Sequence, residues 1–593
     1  MIIGDDSFIY NYFKEMFIHV PRLLKRCLIL LTLLFFYFPV LVAAERISDK
    51  YGGTAVFVTT SDPKSFNDII AKETSTSVVT NYIFEGLVKL NAFTLKPEPN
   101  LAERWSISKD GLKWRFYLRK GVRWNDGVEF TADDVVFTFN DLIYNPDIPS
   151  SARDVFTIDG KTFKVRKIDK YTVEFTLPVK FAPFLVGMTQ SILPKHKLQA
   201  AVKSGRFNFT WGIDTEPKEI VGTGPYMLDK YEPGERIVFK RNPYYWKRSK
   251  EGDRLPYIDK IIVLIVKNSD VALLKFMEGS VDSIGLRGMD YALLKPYEKR
   301  DNFTIYELGP DRGSQFLVFN QNRGVNPKTG KPFVSKKKLS WFTNLAFRRA
   351  VAHAIDKQKI IEIVKYGFGY PQYSPIGPGE GFFHNPDVIK YEYNLNKARD
   401  ILAKAGFKDI NGDGYIEDSE GNTVEFNLFT NSGNTERIDI AGIIRSDLER
   451  LGMKVNFQAL EFNTLVSKLT STFEWDAVVL GLTGGVDPHF AKNVWTSSGQ
   501  LHMWYPRQEH PVTEWEARID ELFRQGAQEL DENKRKKIYD EFQMIVSRQL
   551  PMIYTVLGAN IAAVRNKFGN LHPSNNGGVF HNIEEIYIKK EYR

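Results

Sequence analysis

Apolar and polar positions alternate in short runs along most of the chain, with helical spacing between them. Trp114, Phe116 and Leu118 occupy every second position and predict a half-buried strand, as do Val173, Phe175 and Leu177. Thr131 followed by Asp134 predicts a helix N-cap with a reciprocal capping partner. Val135, Phe139 and Leu142 or Ile143 then recur at helical spacing. The last third is patterned more sharply. Val424, Phe426 and Leu428 predict a strand; Ala441, Ile444, Leu448 and Leu451 form one face of a helix stopped at Gly452; Val455, Phe457 and Ala459 predict the next strand. This is a β-α-β unit, so part of the sheet is expected to be parallel. Ala477 to Leu480 reads as a buried strand ending in Gly481. The expected class is α/β with some antiparallel hairpins.

The chain has 593 residues, too many for one ordinary domain. Hydrophobic residues make up 43% and charged residues 26%, which excludes a disordered chain and a polytopic membrane protein. The net charge of +8 is mild over this length and gives no argument for nucleic acid; the sharpest basic run, Lys336-Lys337-Lys338, reads as a solvated loop. Arg22, Lys25 and Arg26 precede an apolar run from Cys27 to Val42, and Val42-Ala43-Ala44 supplies small residues. That is the order of a secretory signal, expected over 1–44 with cleavage before Glu45; a retained anchor is the alternative, and Met16 is a candidate start. Cys27 is the single cysteine and stands at the start of the apolar run rather than after it, so the mature chain is expected to have no disulfide, thiolate metal site or lipid-acceptor cysteine.

Candidate chemistry is sparse. No Gly-x-Gly-x-x-Gly follows a strand, and there is no phosphate loop, no Gly-x-Ser-x-Gly elbow and no His-Glu-x-x-His. His489, His502 and His510 are not at helix-face ligand spacing. A triad assembled from distant residues stays open. One local motif is sharp. Asp409, Asn411, Asp413, Gly414, Ile416 and Glu420 reproduce a calcium-loop pattern, with Asp409, Asn411, Asp413 and Glu420 as candidate ligands. The incoming helix is present, with Ala398, Ile401, Leu402 and Ala405 on one face, but a strand replaces the outgoing one. The same residues also suit a plain Asp-Gly turn. No cofactor is required by anything in the sequence, and a structural calcium is the single one it offers.

From Leu101 to Asn140 the chain reads LAERWSISKDGLKWRFYLRKGVRWNDGVEFTADDVVFTFN. This closely resembles the signature region of the family 5 extracellular solute-binding proteins, receptors of ABC importers for oligopeptides, dipeptides and nickel. The likeness extends to Phe84-Glu85-Gly86-Leu87, to Gly222–Trp246, to Phe347–Ile361 and to Arg445–Val455, in the family's order. It implies a two-lobed periplasmic-binding-protein fold with an extra inserted subdomain. The discontinuous first lobe is expected over 45–88, 211–312 and 556–593, the insertion over 89–210 and the second lobe over 313–555. Trp105, Trp114 and Trp124 are expected in the core, Asp110-Gly111 and Asp126-Gly127 in turns, and Arg119 and Asp133 in support of the fold.

The resemblance also implies a periplasmic receptor, soluble after signal cleavage and expected to be a monomer, that closes on a peptide or other small solute and delivers it to the transmembrane subunits of an ABC permease. An oligosaccharide, a metal complex or another non-peptide remains an alternative ligand; a secreted hydrolase and an envelope chaperone remain alternative classes. In relatives the loops after second-lobe strands face the cleft. These are Asn431-Ser432-Gly433-Asn434, which also reads as a helix N-cap, and Gly481 to Pro488, with Trp495, Trp504 and Tyr505 as candidate walls and Ser61, Asp62 and Asn67 approaching from the first lobe. Peptide-binding relatives place an aspartate after a Gly-Trp-Thr-Gly-like segment to hold the peptide's α-amine. Here Leu482 replaces the tryptophan, and Gly484 or Gly485 stands at the aspartate's place. Either Asp487 reaches the cleft instead, or it only forms an Asp-Pro turn. The expectation is a ligand whose N-terminus is not the main anchor.

Overall fold

The computed structural model describes residues 48–158 and 160–593. The expected signal, its cleavage point and Cys27 lie outside them. Residues 50–593 form one compact unit. Four sheets organise it.

The first sheet runs Thr54–Thr59, Lys260–Ile265, Arg236–Arg241, Tyr226–Glu232, with only the first pair parallel. A second, wholly antiparallel, is built from Ala102–Ile107, Lys113–Leu118, Thr172–Thr176 and Lys164–Asp169. It holds both alternating strands read from the sequence. Glu174 is buried there because Arg115 and Arg166 close on its two oxygens at 2.6 and 2.7 Å. The helix Ala132–Phe137 starts with the expected reciprocal cap, Thr131 and Asp134, and continues as a π-helical turn, Thr138–Ile143. Trp124 is fully buried, while Trp105 and Trp114 are only partly so. Gly111 and Gly127 take the positive φ of their Asp-Gly turns. Arg119 donates to the Asn100 carbonyl and Asp133 pairs with Lys167, both in support of the fold.

The third sheet carries the β-α-β unit. Its order is Lys454–Leu460, Glu425–Asn431, Ala477–Thr483, Gly313–Phe319, Met552–Tyr554, and the first two pairings are parallel. The helix Thr435–Glu449 makes the crossover. Strand alternation splits the core into two layers. Leu317, Phe319, Leu428 and Val479 pack on one face with Ile440, Ile444 and Leu448 of that helix. Phe316, Val318, Phe429, Val478 and Leu480 pack on the other with Ile519, Phe523 and Phe542. The buried strand read as ending in Gly481 runs on to Thr483. Its antiparallel partner continues with it, pairing Gln315 with Gly481 and Gly313 with Thr483, so the turn begins at Gly484.

The fourth sheet, Ser283–Gly285, Val556–Arg565 and Phe303–Pro310, lies beside two chain crossings. Pro310 leads within three residues to Gly313, and Tyr554 leads through Thr555 to Val556. The crossings are bonded together: Thr555 N donates to the Gln315 carbonyl at 2.8 Å and Asp311 N to the Gly558 carbonyl at 2.9 Å. Gly313 has φ 145°, and a Cβ there would sit 2.5 Å from the Leu482 carbonyl oxygen, so only glycine fits. The short strand Gly369–Pro371, inside the expected second lobe, also pairs with Val556–Arg565. Two adjacent short crossings between two sheets are the geometry of a hinge.

Candidate functional site

A cavity of about 310 Å³ lies at the hinge end of the third sheet. A second, of about 520 Å³, shares Lys72 and Leu501 with it as common wall. Both volumes are within the range of small-ligand sites. Lys72 belongs with the first and second sheets, through Phe66 and Ile69 beside it, whereas the remaining wall of the smaller cavity comes from residues 313–554. The smaller cavity therefore lies between two bodies. Its wall combines apolar side chains (Ile376, Leu482, Val494, Trp495, Phe542, Tyr554) with the Gly484-Gly485 turn. Three of its lining side chains can carry charge: Lys72, Glu380 and Asp487.

The two bodies touch around this cavity. His489 Nε2 lies 3.1 Å from the Val155 carbonyl and its ring meets Phe181 edge-on. Lys492 donates to the Thr157 carbonyl at 2.6 Å, Gln500 N to Asp154 at 3.0 Å and Ala182 N to the Ala527 carbonyl at 2.8 Å. Burial pushes the His489 imidazole down to about 3 and the Asp154 carboxyl up. His489 is thus a neutral packing group at this seam, a role no sequence motif announced.

The loop after Glu425–Asn431 does two things. Asn434 caps the crossover helix by accepting from Arg437 N at 2.9 Å. Gly433 abuts the other body: a Cβ there would be 2.8 Å from the Lys267 carbonyl, and Ser269 Oγ donates to the Gly433 carbonyl at 3.3 Å. The Asn431 amide oxygen accepts from Arg437 at 2.6 Å, and Ser432 N donates to the Leu460 carbonyl. Asn431 to Asn434 do not line either cavity. Through Gly433 the loop sits at the contact between the bodies instead.

Gly484, Gly485, Asp487 and Trp495 do line the smaller cavity. Gly484 donates its N–H to the Arg312 carbonyl at 3.0 Å, so its backbone is already committed. Asp487 is buried and both of its oxygens are taken by Arg535 at 2.6 Å, while one also accepts from His489 N. It caps the following helical turn and pairs with a buried cation, which leaves no carboxylate to receive a ligand amine. Trp504 is not a wall. It is 1% exposed, packs on Trp495 and Trp515, and donates to Glu516 at 3.1 Å. Tyr505 is packed against the same cluster. On the other body, Asn67 is fully buried and spends its amide on the Phe207 and Thr210 carbonyls, and Asp62 accepts from Tyr231 and Gly234. Neither they nor Ser61 line the two cavities.

The calcium-pattern loop sits elsewhere, on the connection from the helix Leu395–Lys404 to the strand Glu425–Asn431. Its carboxylates face their own backbone. Asp409 accepts from Gly412 N and Gly414 N, Asp413 from Tyr415 N, and Glu417 from Ile410 N. Glu420 follows a separate turn held by Asp418. Among the described residues no group of three or more His, Cys, Asp or Glu is placed to hold a metal ion. The local geometry is that of consecutive Asx turns, the alternative the sequence also allowed.

The residues that sequence reasoning missed are Lys72 and Glu380. Neither belongs to a motif. The signal nearest to Glu380 is its setting, Gly377-Pro378-Gly379-Glu380-Gly381. Glycines this dense mark close backbone approach, and a Cβ on Gly379 would lie 2.4 Å from the Asp311 carbonyl in the hinge.

Among the described residues no helix is long and apolar enough to cross a membrane. The model of the bacterial extracellular solute-binding proteins, family 5, matches residues 96–501. A probable ABC transporter-binding protein of Deinococcus radiodurans is 30% identical over 87% of this chain and 89% of that protein. The oligopeptide-binding protein AppA of Bacillus subtilis is 28% identical over 91% of this chain and 92% of its own length. Its structure in complex with a nonapeptide superposes with a TM-score of 0.75, 26% identity, 91% of this chain and all of that one. A periplasmic binding protein of Agrobacterium fabrum in complex with stachyose shares the fold at a TM-score of 0.78 and 22% identity, over 92% and 86% of the two chains. The two bodies, the paired hinge crossings and the cavity between them agree with this match: the chain belongs to the bacterial extracellular solute-binding proteins, family 5.

Proposed function

We propose that this chain is the periplasmic substrate receptor of an ABC importer, that it binds peptides, and that it hands them to the transmembrane subunits of the permease. One observation carries the reading. The cavity is walled by both bodies, and the chain passes between them through short crossings that can bend. A ligand contacts both walls only in the closed form, so binding shifts the population toward closure. The permease then has a closed, loaded shape to recognise. The wall chemistry suits a peptide: apolar and aromatic surface for side chains, with a basic group, Lys72, and an acidic one, Glu380, for its polar ends. The kinship with an oligopeptide-binding protein points the same way. No residue is assigned a catalytic role. Mass spectrometry of ligand carried through gentle purification is the test. Intact peptides are the expected result. A bound oligosaccharide would keep the receptor and overturn the peptide; steady conversion of the ligand would overturn the receptor itself.

A further inference from the structure

We propose that Glu380 holds the cationic end of the ligand, an alkylammonium, in the cavity at the hinge. The proposal rests on the peptide-receptor reading and deepens it.

The argument is one of elimination within a single wall. Two carboxylates line this cavity. Asp487 is locked by two 2.6 Å contacts to Arg535, and a second cation there would meet a carboxylate already neutralised. Among the described residues Glu380 has no ion pair within 4 Å. Arg312 acts on it only from a distance, and its other nearby groups are the Gly377 backbone and the Tyr554 hydroxyl. Lys72, at the junction with the larger cavity, is not among the groups that act on it, so the two charges are free to meet different parts of one ligand. Ionising a carboxyl in an apolar pocket costs free energy, and a cation brought by the ligand offsets that cost. One available carboxylate, in a wall that also holds aromatic Phe542 and Tyr554, suits an organic monocation with an apolar body; a divalent metal favours further carboxylates, and the other one in this wall is held by Arg535. The ligand's ammonium is therefore met from the hinge segment rather than from the loop after Thr483.

The ammonium can come from a peptide's N-terminus or from a lysine side chain. Burial also pushes the Glu380 carboxyl up to about 8, so at pH 7 it carries a proton that an arriving ammonium expels.

The test uses the full mature chain and three pools of short synthetic peptides: lysine-free with free N-termini, the same acetylated, and N-acetylated with one internal lysine. Retention is read by native mass spectrometry and affinity by calorimetry. Wild type is expected to retain the first pool and to bind the lysine-free acetylated pool roughly 30-fold more weakly or worse, as loss of one partner of a buried charge pair predicts. Retention of the third pool would assign the site to side-chain ammonium; rejection of it assigns the site to the N-terminus. Calorimetry in buffers of different ionisation enthalpy is expected to show proton release with the first pool. Glu380→Gln, nearly isosteric, is expected to abolish both the preference and the proton release while still binding peptides. Equal binding of the free and acetylated pools by wild type, or an undiminished preference in Glu380→Gln, overturns the proposal and leaves the peptide reading standing. Retention of no pool overturns both.

Discussion

Asp487 and Glu380 line one cavity, yet the fold treats them oppositely. Asp487 arrives with its partner: the helix Glu532–Gln549 brings Arg535 to it, and both charges are buried together. Glu380 arrives with no ion pair within 4 Å among the described residues, only Arg312 at longer range, and burial favours its neutral form. The first is spent on architecture, the second is kept for something that comes from outside. Sequence alone offered Asp487, near the place where relatives keep their anchor, as either a cleft group or an Asp-Pro turn former, and it did not single out Glu380. A carboxylate becomes a binding group through what its tertiary neighbours leave unpaired.

The largest expected effect breaks the comparison on the architectural side. Asp487→Asn strands the buried Arg535 and is expected to destabilise the protein by about 3–5 kcal/mol in urea unfolding. Combining it with Arg535→Met is expected to cost clearly less than the sum of the singles, because the stranded charge is then gone. An Asp487→Asn protein of wild-type stability would mean that the pair is not structural.

A smaller effect tests closure. Gly433→Ala places a methyl group against the Lys267 carbonyl, where the bodies meet. Overpacking of this kind costs about 1–3 kcal/mol. The cost falls mainly on the closed form, so peptide affinity is expected to fall roughly 5–150-fold with little change in unfolding of the free protein. Small-angle scattering with saturating peptide checks it, a more extended liganded state being the expected result.

The pH dependence of stability sharpens the difference further. The Glu380 carboxyl ionises near 4.5 in the unfolded chain and near 8 in the fold. Between those values the native state holds the extra proton, so this group makes stability fall as pH rises. Glu380→Gln is expected to flatten that slope between about pH 5 and 8 in thermal scans, with little change at pH 4.

The calcium-pattern loop gives the smallest effect. Its carboxylates already accept from backbone amides at 2.7 to 3.0 Å. Excess calcium is expected to leave the melting temperature of metal-stripped protein unchanged; a rise of several degrees, lost in Asp413→Ala, would restore the structural ion.

Much of the fold was readable because it is written in local spacing. Alternation at Trp114, Phe116 and Leu118, helical spacing at Ala441, Ile444 and Leu448, and the cap at Thr131 each depend on neighbours within a few residues, and each took the expected form. Of the two readings of Asn434, the helix cap took the expected form, while the loop lines neither cavity. The motif blocks likewise carried the family. The end of the strand at Thr483 was not local: its length was set by Gly313–Phe319, more than a hundred residues away. Trp504 looked like a wall because aromatic residues serve walls and cores equally; three-dimensional packing against Trp495 and Trp515 placed it inside. The loop at Asp409 kept its ligand-like spacing and spent the oxygens on its own amides. The sequence by itself determined the elements and the kinship, since both are short-range patterns. Which charge pairs with which was decided only by the tertiary structure, because Arg535 and Asp487 meet across 48 residues of chain, while Glu380 meets Arg312 only at a distance.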